Sequence, residues 1–463
     1  MISKISRRLF IVAAILFCLV FILAIVALRP VDHTPYFQTD YYQQTLDRLA
    51  RISDTLQVPQ IGEVLAGYGR ANITPSLEAP LAGYSARKGK PAAGVHDSLF
   101  AKAIALKSAE KEIVLLGIDG LIVSRNMAQA VMEKVGPAAG LARHQILFGA
   151  SHSHNGAGSW EDSYLGEIFA GEYNPEIFEF LTNQMASAIQ QAHQSLQSGS
   201  AGFGSIQLPQ FTRNRLVKQH GTIDPELSFA LFHQNSGLDL IWGSYSAHAT
   251  TISWRTREFS GDYPGFFERA LEARFPGMAV FFAGGVGSHG PAGKGESFQR
   301  AQFIGEALAE SLVTPLKTIK MQSSVPILSF GVKVSLPEPH VRISDGWRVA
   351  PWLAEFLITE RDSYLQLVAV DKNLIIGEPS DFSGELAAQL KDFAFRKGYH
   401  LTVTSFNGSY LGYIIPSKYY HLDAYESRLM SFYGPTMGDY IPHLMRRMIE
   451  IAIAKIDAAA LPQ

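Results

Sequence analysis

Twenty consecutive residues, Leu9 to Leu28 (LFIVAAILFCLVFILAIVAL), carry neither charge nor proline. That is about the length a helix needs to cross the ~30 Å hydrocarbon core of a bilayer. The pattern predicts a single N-terminal transmembrane helix. Lys4, Arg7 and Arg8 precede the run and only Arg29 follows it closely, so the positive-inside rule leaves the N-terminus in the cytoplasm and places the rest of the chain outside it, periplasmic or extracellular. The run exceeds a usual signal-peptide core and no clear small-x-small site closes it, which favours an uncleaved anchor over a cleaved signal peptide. Phe17 before Cys18 argues against lipoprotein cleavage.

After this anchor (residues 1–30) comes a polar, Gln- and Asp-rich stretch, residues 31–65, read as a stalk with a helical segment near Tyr41 to Ile52. Beyond it, short apolar runs alternate with helical patterns. Strands are expected at Ala101 to Leu106, Ile113 to Ile118, Gln145 to Ala150, Leu240 to Tyr245, Ala279 to Phe282, Leu365 to Val370, Leu374 to Ile376 and Leu401 to Ser405. The clearest helix runs from Glu176 to about Leu196. There Ile177, Phe180, Leu181, Met185, Ala188, Ile189 and Ala192 recur at three- and four-residue steps, and Pro175 stands at the first turn. Strands alternating with helices predict an α/β body, residues 66–463, with a mixed sheet and flanking helices in one large domain.

Composition narrows the function. The chain has 463 residues, with 40 Lys plus Arg against 42 Asp plus Glu, a balance that offers no basic field to nucleic acid. With 47% hydrophobic and only 18% charged residues it can bury a large core, and disorder is excluded. Its one cysteine, Cys18, lies in the apolar run. No intrachain disulfide or cysteine-held metal is therefore possible, and any metal must be bound by His, carboxylate or Tyr.

Four segments carry candidate chemistry. In QILFGASHSHNGAG (145–158) a buried strand ends in His-x-His. On extended backbone, residues two apart project to one face, so His152 and His154 would both point at a single ion or substrate. His248, in WGSYSAHATTIS, ends another apolar strand. Glu378, in NLIIGEPSDFSGEL, is delivered by a strand into the turn before a helix starting near Ser383, where it is equally explained as a helix-start charge. The fourth segment holds Tyr410, Tyr413, Tyr419, Tyr420 and Tyr425, a clustering that is more often packing than chemistry. Two or three His and one Glu can supply a catalytic zinc site with an open water position, and such an ion suits amide or ester hydrolysis. No H-E-x-x-H helix, G-x-S-x-G elbow or P-loop is present. The one G-x-G-x-x-G match, at Gly285, Gly287 and Gly290, is followed by Pro291 where that fingerprint wants a helix.

In order from about Gly67 to Ile451, nine segments resemble the neutral and alkaline ceramidases, zinc-dependent amidases that cut the N-acyl bond of ceramide. They are GYGRANITP, GYSARKGKPAAGVHDSLFAKAIAL, LLGIDG, FGASHSHNGAG, the pair Asn214 and Arg215, SAHATTIS, SGDYPGFFE, IIGEPSDFSGEL and YLGYIIPSKYYHLDAYESRLMSFYGP. The resemblance implies Zn2+ as cofactor, held by His152, His248, Glu378 and Tyr413, and a ceramide-like lipid amide as substrate. It further implies that His154 contacts the substrate oxygen and the metal-bound water, that Arg215 belongs to the substrate site, and that His96 lies near the head-group pocket. The family's GDxSPN segment appears only as GGVGSHGP; its serine falls on Ser288 or, with another gap, on Gly290, and its aspartate has no counterpart. Asn155 and Ala157 also depart from the family loop, and the family's C-terminal β-sandwich has no counterpart. The expectation is a membrane-anchored, outward-facing zinc amidohydrolase. Its rivals are a non-catalytic envelope binding protein on the same fold and a zinc hydrolase of another amide or ester.

Overall fold

The computed structural model describes residues 4–461, without the side chains of residues 4–7 and 19–25. Its centre is a twelve-stranded mixed sheet. The strands are, in chain order, β1 (Ile61–Asn72), β2 (Phe100–Ser108), β3 (Lys111–Ile118), β4 (Ile146–Ala150), β5 (Gln197–Gln207), β6 (Glu226–Gln234), β7 (Asp239–Tyr245), β8 (Gly277–Ala283), β9 (Ser324–Ser335), β10 (Asp362–Val370), β11 (Asn373–Gly377) and β12 (His400–Thr404). The main path runs β8-β7-β6-β5-β1-β9-β10-β11-β12, and an arm β2-β3-β4 branches from β1. The long β1 makes the branch possible, because Ile61–Glu63 pair with β9 while Val64–Asn72 pair with β2.

The arm folds back over the β7–β8 end of the sheet. A Cβ on Gly149 of β4 would lie 2.3 Å from the Phe282 ring of β8, so a glycine is required for this close approach. Leu106, Leu115, Trp242, Val280 and Phe282 fill the space between the layers. The outer faces are covered by helices, each with a buried apolar stripe. Arg125–Ala139 and Pro175–Gln194 lie over the arm, Asp262–Glu272 and Ser297–Thr318 over β6–β8, and Gly384–Phe395 with Met437–Ala459 over β9–β12.

Within this sheet three strand pairs are parallel, β3 with β4, β7 with β8 and β11 with β12. Their carboxyl ends carry His152, His248 and Glu378 into one region, where ligands of α/β sheets bind.

The N-terminal expectations need correction. Among the described residues no helix is long and apolar enough to cross a membrane, which overturns the membrane-spanning helix and with it the single-pass placement of the body outside the cytoplasm. The segment is helical over Lys4–Ala27, but its end is stitched into the body. Leu28–Pro30 pair antiparallel with Trp347–Val349, Ala350 N donates to Ala27 O at 2.7 Å, and Trp352 Nε1 donates to Val26 O at 3.3 Å. Side chains 19–25 of the expected span lie outside the described residues. Residues 31–65 do not stand off as a stalk either. The helix Asp40–Thr55 buries Leu49 and Thr45 against the body, Thr45 Oγ1 lies 3.0 Å from the Tyr440 hydroxyl, and the boundary at residue 65 falls inside β1.

Candidate active site

The His-x-His segment reaches one point by a different route from β alternation. Strand β4 ends at Ala150, and His152 has a left-handed backbone with φ 59°. This conformation is uncommon for a buried non-glycine residue and marks stored strain. The turn lets His152 and His154 converge with His248 from the end of β7. The Nε2 atoms of His152 and His154 each lie 3.0, 3.0 Å from Nε2 of His248, and 3.4 Å from each other.

Protonation follows from what the other ring nitrogens meet. His152 Nδ1 lies 2.7 Å from the Leu121 carbonyl and His248 Nδ1 3.4 Å from the Val286 carbonyl, so each Nδ1 carries its proton toward an acceptor and each Nε2 is bare. Burial lowers the pKa of His152 to about 3 and holds His154 and His248 well below the usual imidazole value, so all three rings are neutral. The bare Nε2 lone pairs of His152 and His248, 3.0 Å apart, have no hydrogen to share, and a cation between them removes the conflict. A tetrahedral ion with bonds of 2.0–2.1 Å separates its ligand atoms by roughly 3.3 to 3.4 Å. The three imidazoles thus form a cluster that could hold a metal ion, and their chemistry and spacing fit one such as zinc.

The loop that presents them is braced by a residue not singled out in the sequence. Arg87, 3% exposed, donates to the His154 carbonyl, to Asn155 Oδ1 at 3.1 Å and to the Thr256 carbonyl at 2.9 Å. Asn155 is therefore a structural residue of this loop.

Two cavities meet at the cluster. One, of about 130 Å³, touches His152 and His154 and runs between Leu121, Ile122, Trp160, Leu165, Phe169 and Phe432. The other, of about 400 Å³, is more polar and touches His154, His248, Arg215 and Glu426. Tyr413 lines both. Its hydroxyl accepts from Arg215 Nη2 at 2.9 Å, and Arg215 Nε forms an ion pair with Glu426 at 2.9 Å.

Three candidates are not part of the imidazole cluster. Glu378 is fully buried, with Oε2 accepting from Ser380 Oγ at 2.5 Å and burial pushing its pKa up to about 8. It lies outside the imidazole cluster and lines neither cavity. Ser288 is turned into the core, 2.9 Å from His289 Nδ1 and 2.8 Å from Ser383 Oγ. His96 stacks on Phe298, centroids 3.7 Å apart, and contacts Asp97 at 2.7 Å.

Two residues missed in the sequence stand at the site. Asp381, which resembles a turn residue in GEPSDFSG, lines the apolar cavity, and burial raises its pKa to about 7. Tyr410, read as packing, donates its hydroxyl to Asp381 Oδ2 at 2.8 Å. Extended backbone would turn only one of Tyr410 and Tyr413 inward. Gly412 between them has φ 75°, and a Cβ there would lie 2.3 Å from the Met430 carbonyl, so the chain kinks and both rings face the cavity.

Comparison with known proteins agrees with this architecture. Residues 64–278 match the family model described as neutral/alkaline non-lysosomal ceramidase, N-terminal. The neutral ceramidase of Pseudomonas aeruginosa is 25% identical over 248 residues, 47% of this chain and 35% of that protein. Neutral ceramidase 1 of Arabidopsis thaliana is 23% identical over 232 residues, 45% of this chain and 29% of that protein. The chain thus aligns with about a third of the length of these relatives. The crystal structure of the Pseudomonas aeruginosa neutral ceramidase superposes with a TM-score of 0.72 at 17% identity, covering 87% of this chain and 76% of that one, which is a likeness of fold. In the matched segment, its curated relatives and its fold, the chain is similar to the neutral/alkaline non-lysosomal ceramidases.

Proposed function

We propose that this protein is a zinc-dependent amidohydrolase that cleaves the N-acyl bond of ceramide or a related lipid amide. The observation that carries the reading is the group of three neutral imidazoles whose Nε2 atoms converge where an apolar and a polar cavity meet. His152, His154 and His248 would hold the ion. Bound zinc supplies Lewis acidity, lowering the pKa of its water toward about 7 and polarising a carbonyl. The apolar cavity suits part of a hydrocarbon chain, and the polar one suits a hydroxylated head group. Tyr413 borders both spaces and Arg215, 2.9 Å from its hydroxyl, borders the polar one; both are placed to donate toward an amide oxygen that gains charge, a contribution of about 3 kcal/mol per donor in comparable sites. No role is left for Ser288 as a substrate contact while its hydroxyl is held by His289 and Ser383.

Hydrolysis of a fluorescent N-acyl sphingoid, measured with metal-stripped and zinc-restored protein, tests the reading. Zinc-restored release of the fluorescent acid supports it. A zinc-loaded protein that binds the lipid without turnover overturns it in favour of a binding protein, and cleavage of simple esters alone overturns the lipid-amide assignment.

A further inference from the structure

Arg87 closes the 3-10 turn Ser85–Arg87 and is buried without a carboxylate to pair with it. All five N–H donors of its guanidinium go to neutral acceptors instead. Nε donates to the Trp254 carbonyl at 3.1 Å, and Nη1 to the carbonyls of Ala82, at 3.2 Å, and His154. Nη2 donates to Asn155 Oδ1 at 3.1 Å and to the Thr256 carbonyl at 2.9 Å. The acceptors lie on three segments far apart in the chain, and each segment reaches the polar cavity, through Gly83 to Ala86, through His154 and through Trp254. Arg87 itself lines neither cavity. The first segment also lies directly on the second. Gly83 has φ 102°, a Cβ there would lie 2.6 Å from the His154 ring, and the Tyr84 ring centroid is 4.6 Å from that of His154. Burying a cation without a counter-ion is costly, and holding loops together does not by itself require one. What a guanidinium adds is a rigid planar fork that fixes several acceptors in direction as well as distance, which a lysine cannot do.

We propose that Arg87 is the positioning residue of the polar cavity: it sets the spacing between the loop 83–86, His154 and Trp254, and through them decides which head group the cavity accepts. The inference rests on reading that cavity as the head-group side of a lipid-amide site. Because Arg87 works through the three walls rather than by touching substrate, its loss should be felt by a substrate that carries a hydroxylated head group and hardly by one that carries none.

The test uses the full chain supplied with zinc and two fluorescent amides of the same acyl group, an N-acyl sphingoid and an N-acyl alkylamine without hydroxyls. Kd is read by fluorescence titration, and KM and kcat by release of the acid. Arg87→Ala is expected to raise Kd and KM for the sphingoid amide by about 10-fold or more, and those for the alkylamide by less than about 2-fold. Millimolar guanidinium, which can refill every donor position, should bring the sphingoid Kd back to within about 3-fold of the parent, whereas tetramethylammonium, of equal charge but without N–H, should not. Parent affinity for the sphingoid amide in Arg87→Ala, equal losses for the two amides, or recovery no better with guanidinium than with tetramethylammonium would overturn the proposal. If Arg87→Ala fails to fold by circular dichroism, Arg87→Lys decides, because it keeps the charge and loses the fork; the parent's selectivity between the two amides in that variant overturns the assignment. A parent that binds the sphingoid amide without cleaving it overturns the hydrolase reading and leaves Arg87 to be judged by Kd alone. A parent that neither binds nor cleaves either amide overturns the lipid-amide reading and this inference with it.

Discussion

Phe406 and His152 stack face to face, with ring centroids 4.1 Å apart and planes 8° from parallel, and both hold a left-handed backbone, φ 68° and 59°. One follows β12 and the other β4, so two sheet ends meet through a pair of strained residues. Such strain costs roughly 1–3 kcal/mol per residue and persists only where surrounding contacts over-determine it. Here the stacking fixes the plane of one imidazole of the cluster.

Truncating that support should therefore be felt in both stability and metal binding. Phe406→Ala is expected to destabilise the protein by about 3–5 kcal/mol. Phe406→Leu should unfold less readily than Phe406→Ala yet still bind zinc about 10-fold more weakly than the parent. Urea unfolding and chelator competition separate the two effects. Parent affinity in Phe406→Leu would mean that the stack serves packing alone.

His154 distinguishes two views of the cluster. Family resemblance makes it a substrate contact, whereas its Nε2 stands 3.0 Å from that of His248. If the three rings act together, His154→Ala should lose zinc as completely as His152→Ala and His248→Ala. A His154→Ala protein with full zinc content and depressed turnover would return this residue to the substrate side.

The two tyrosines should fail in different ways. Tyr413→Phe deprives Arg215 of its acceptor without touching Asp381's bond to Tyr410, so kcat should fall by about 10-fold or more while zinc content stays at the parent level. Tyr410→Phe, which frees the Asp381 carboxylate 3.5 Å from His152 Nε2, should chiefly weaken zinc. Turnover measured at saturating and at limiting zinc separates them, and a Tyr410→Phe variant indistinguishable from the parent would restore that ring to a packing role.

A pH dependence arises away from the site. Lys102, buried on β2, donates to Glu268 at 2.7 Å and to Glu272 at 2.6 Å, with Asp119 nearby. Burial, with the charges of Asp119 and Glu272, pushes the Glu268 pKa up to about 8 in spite of Lys102. The native state thus holds this proton more tightly than the unfolded chain. Its contribution is full below about pH 4.5 and is lost as pH rises through about 8. Urea midpoints should fall over that interval, and Glu268→Gln should flatten the slope. An unchanged slope in Glu268→Gln would place the titrating proton on another group.

The eight apolar runs expected as strands all form strands of the sheet, because a buried strand is written in its own residues. Others were not legible. Strands β1 and β5 (QSGSAGFGSIQ) are rich in small residues whose value lies in what packs on them, as when a Cβ on Gly69 would meet the Ala188 carbonyl at 2.0 Å. The apolar run near the N-terminus was legible as a helix, yet hydropathy could not show that Leu28–Pro30 would pair with Trp347–Val349.

By itself the sequence determined the alternation of strands and helices, the absence of cysteine chemistry, and the strand ends that carry His152, His154 and His248. These are local properties, set by side-chain type and spacing. Only the tertiary structure decided which groups share the site. Asp381 lies 3.5 Å from His152 Nε2 and is held by the Tyr410 hydroxyl, and the kink at Gly412 lets Tyr410 and Tyr413 both face the cavity, some thirty residues further on. Contacts between segments so distant in the chain exist only once the sheet has brought them together.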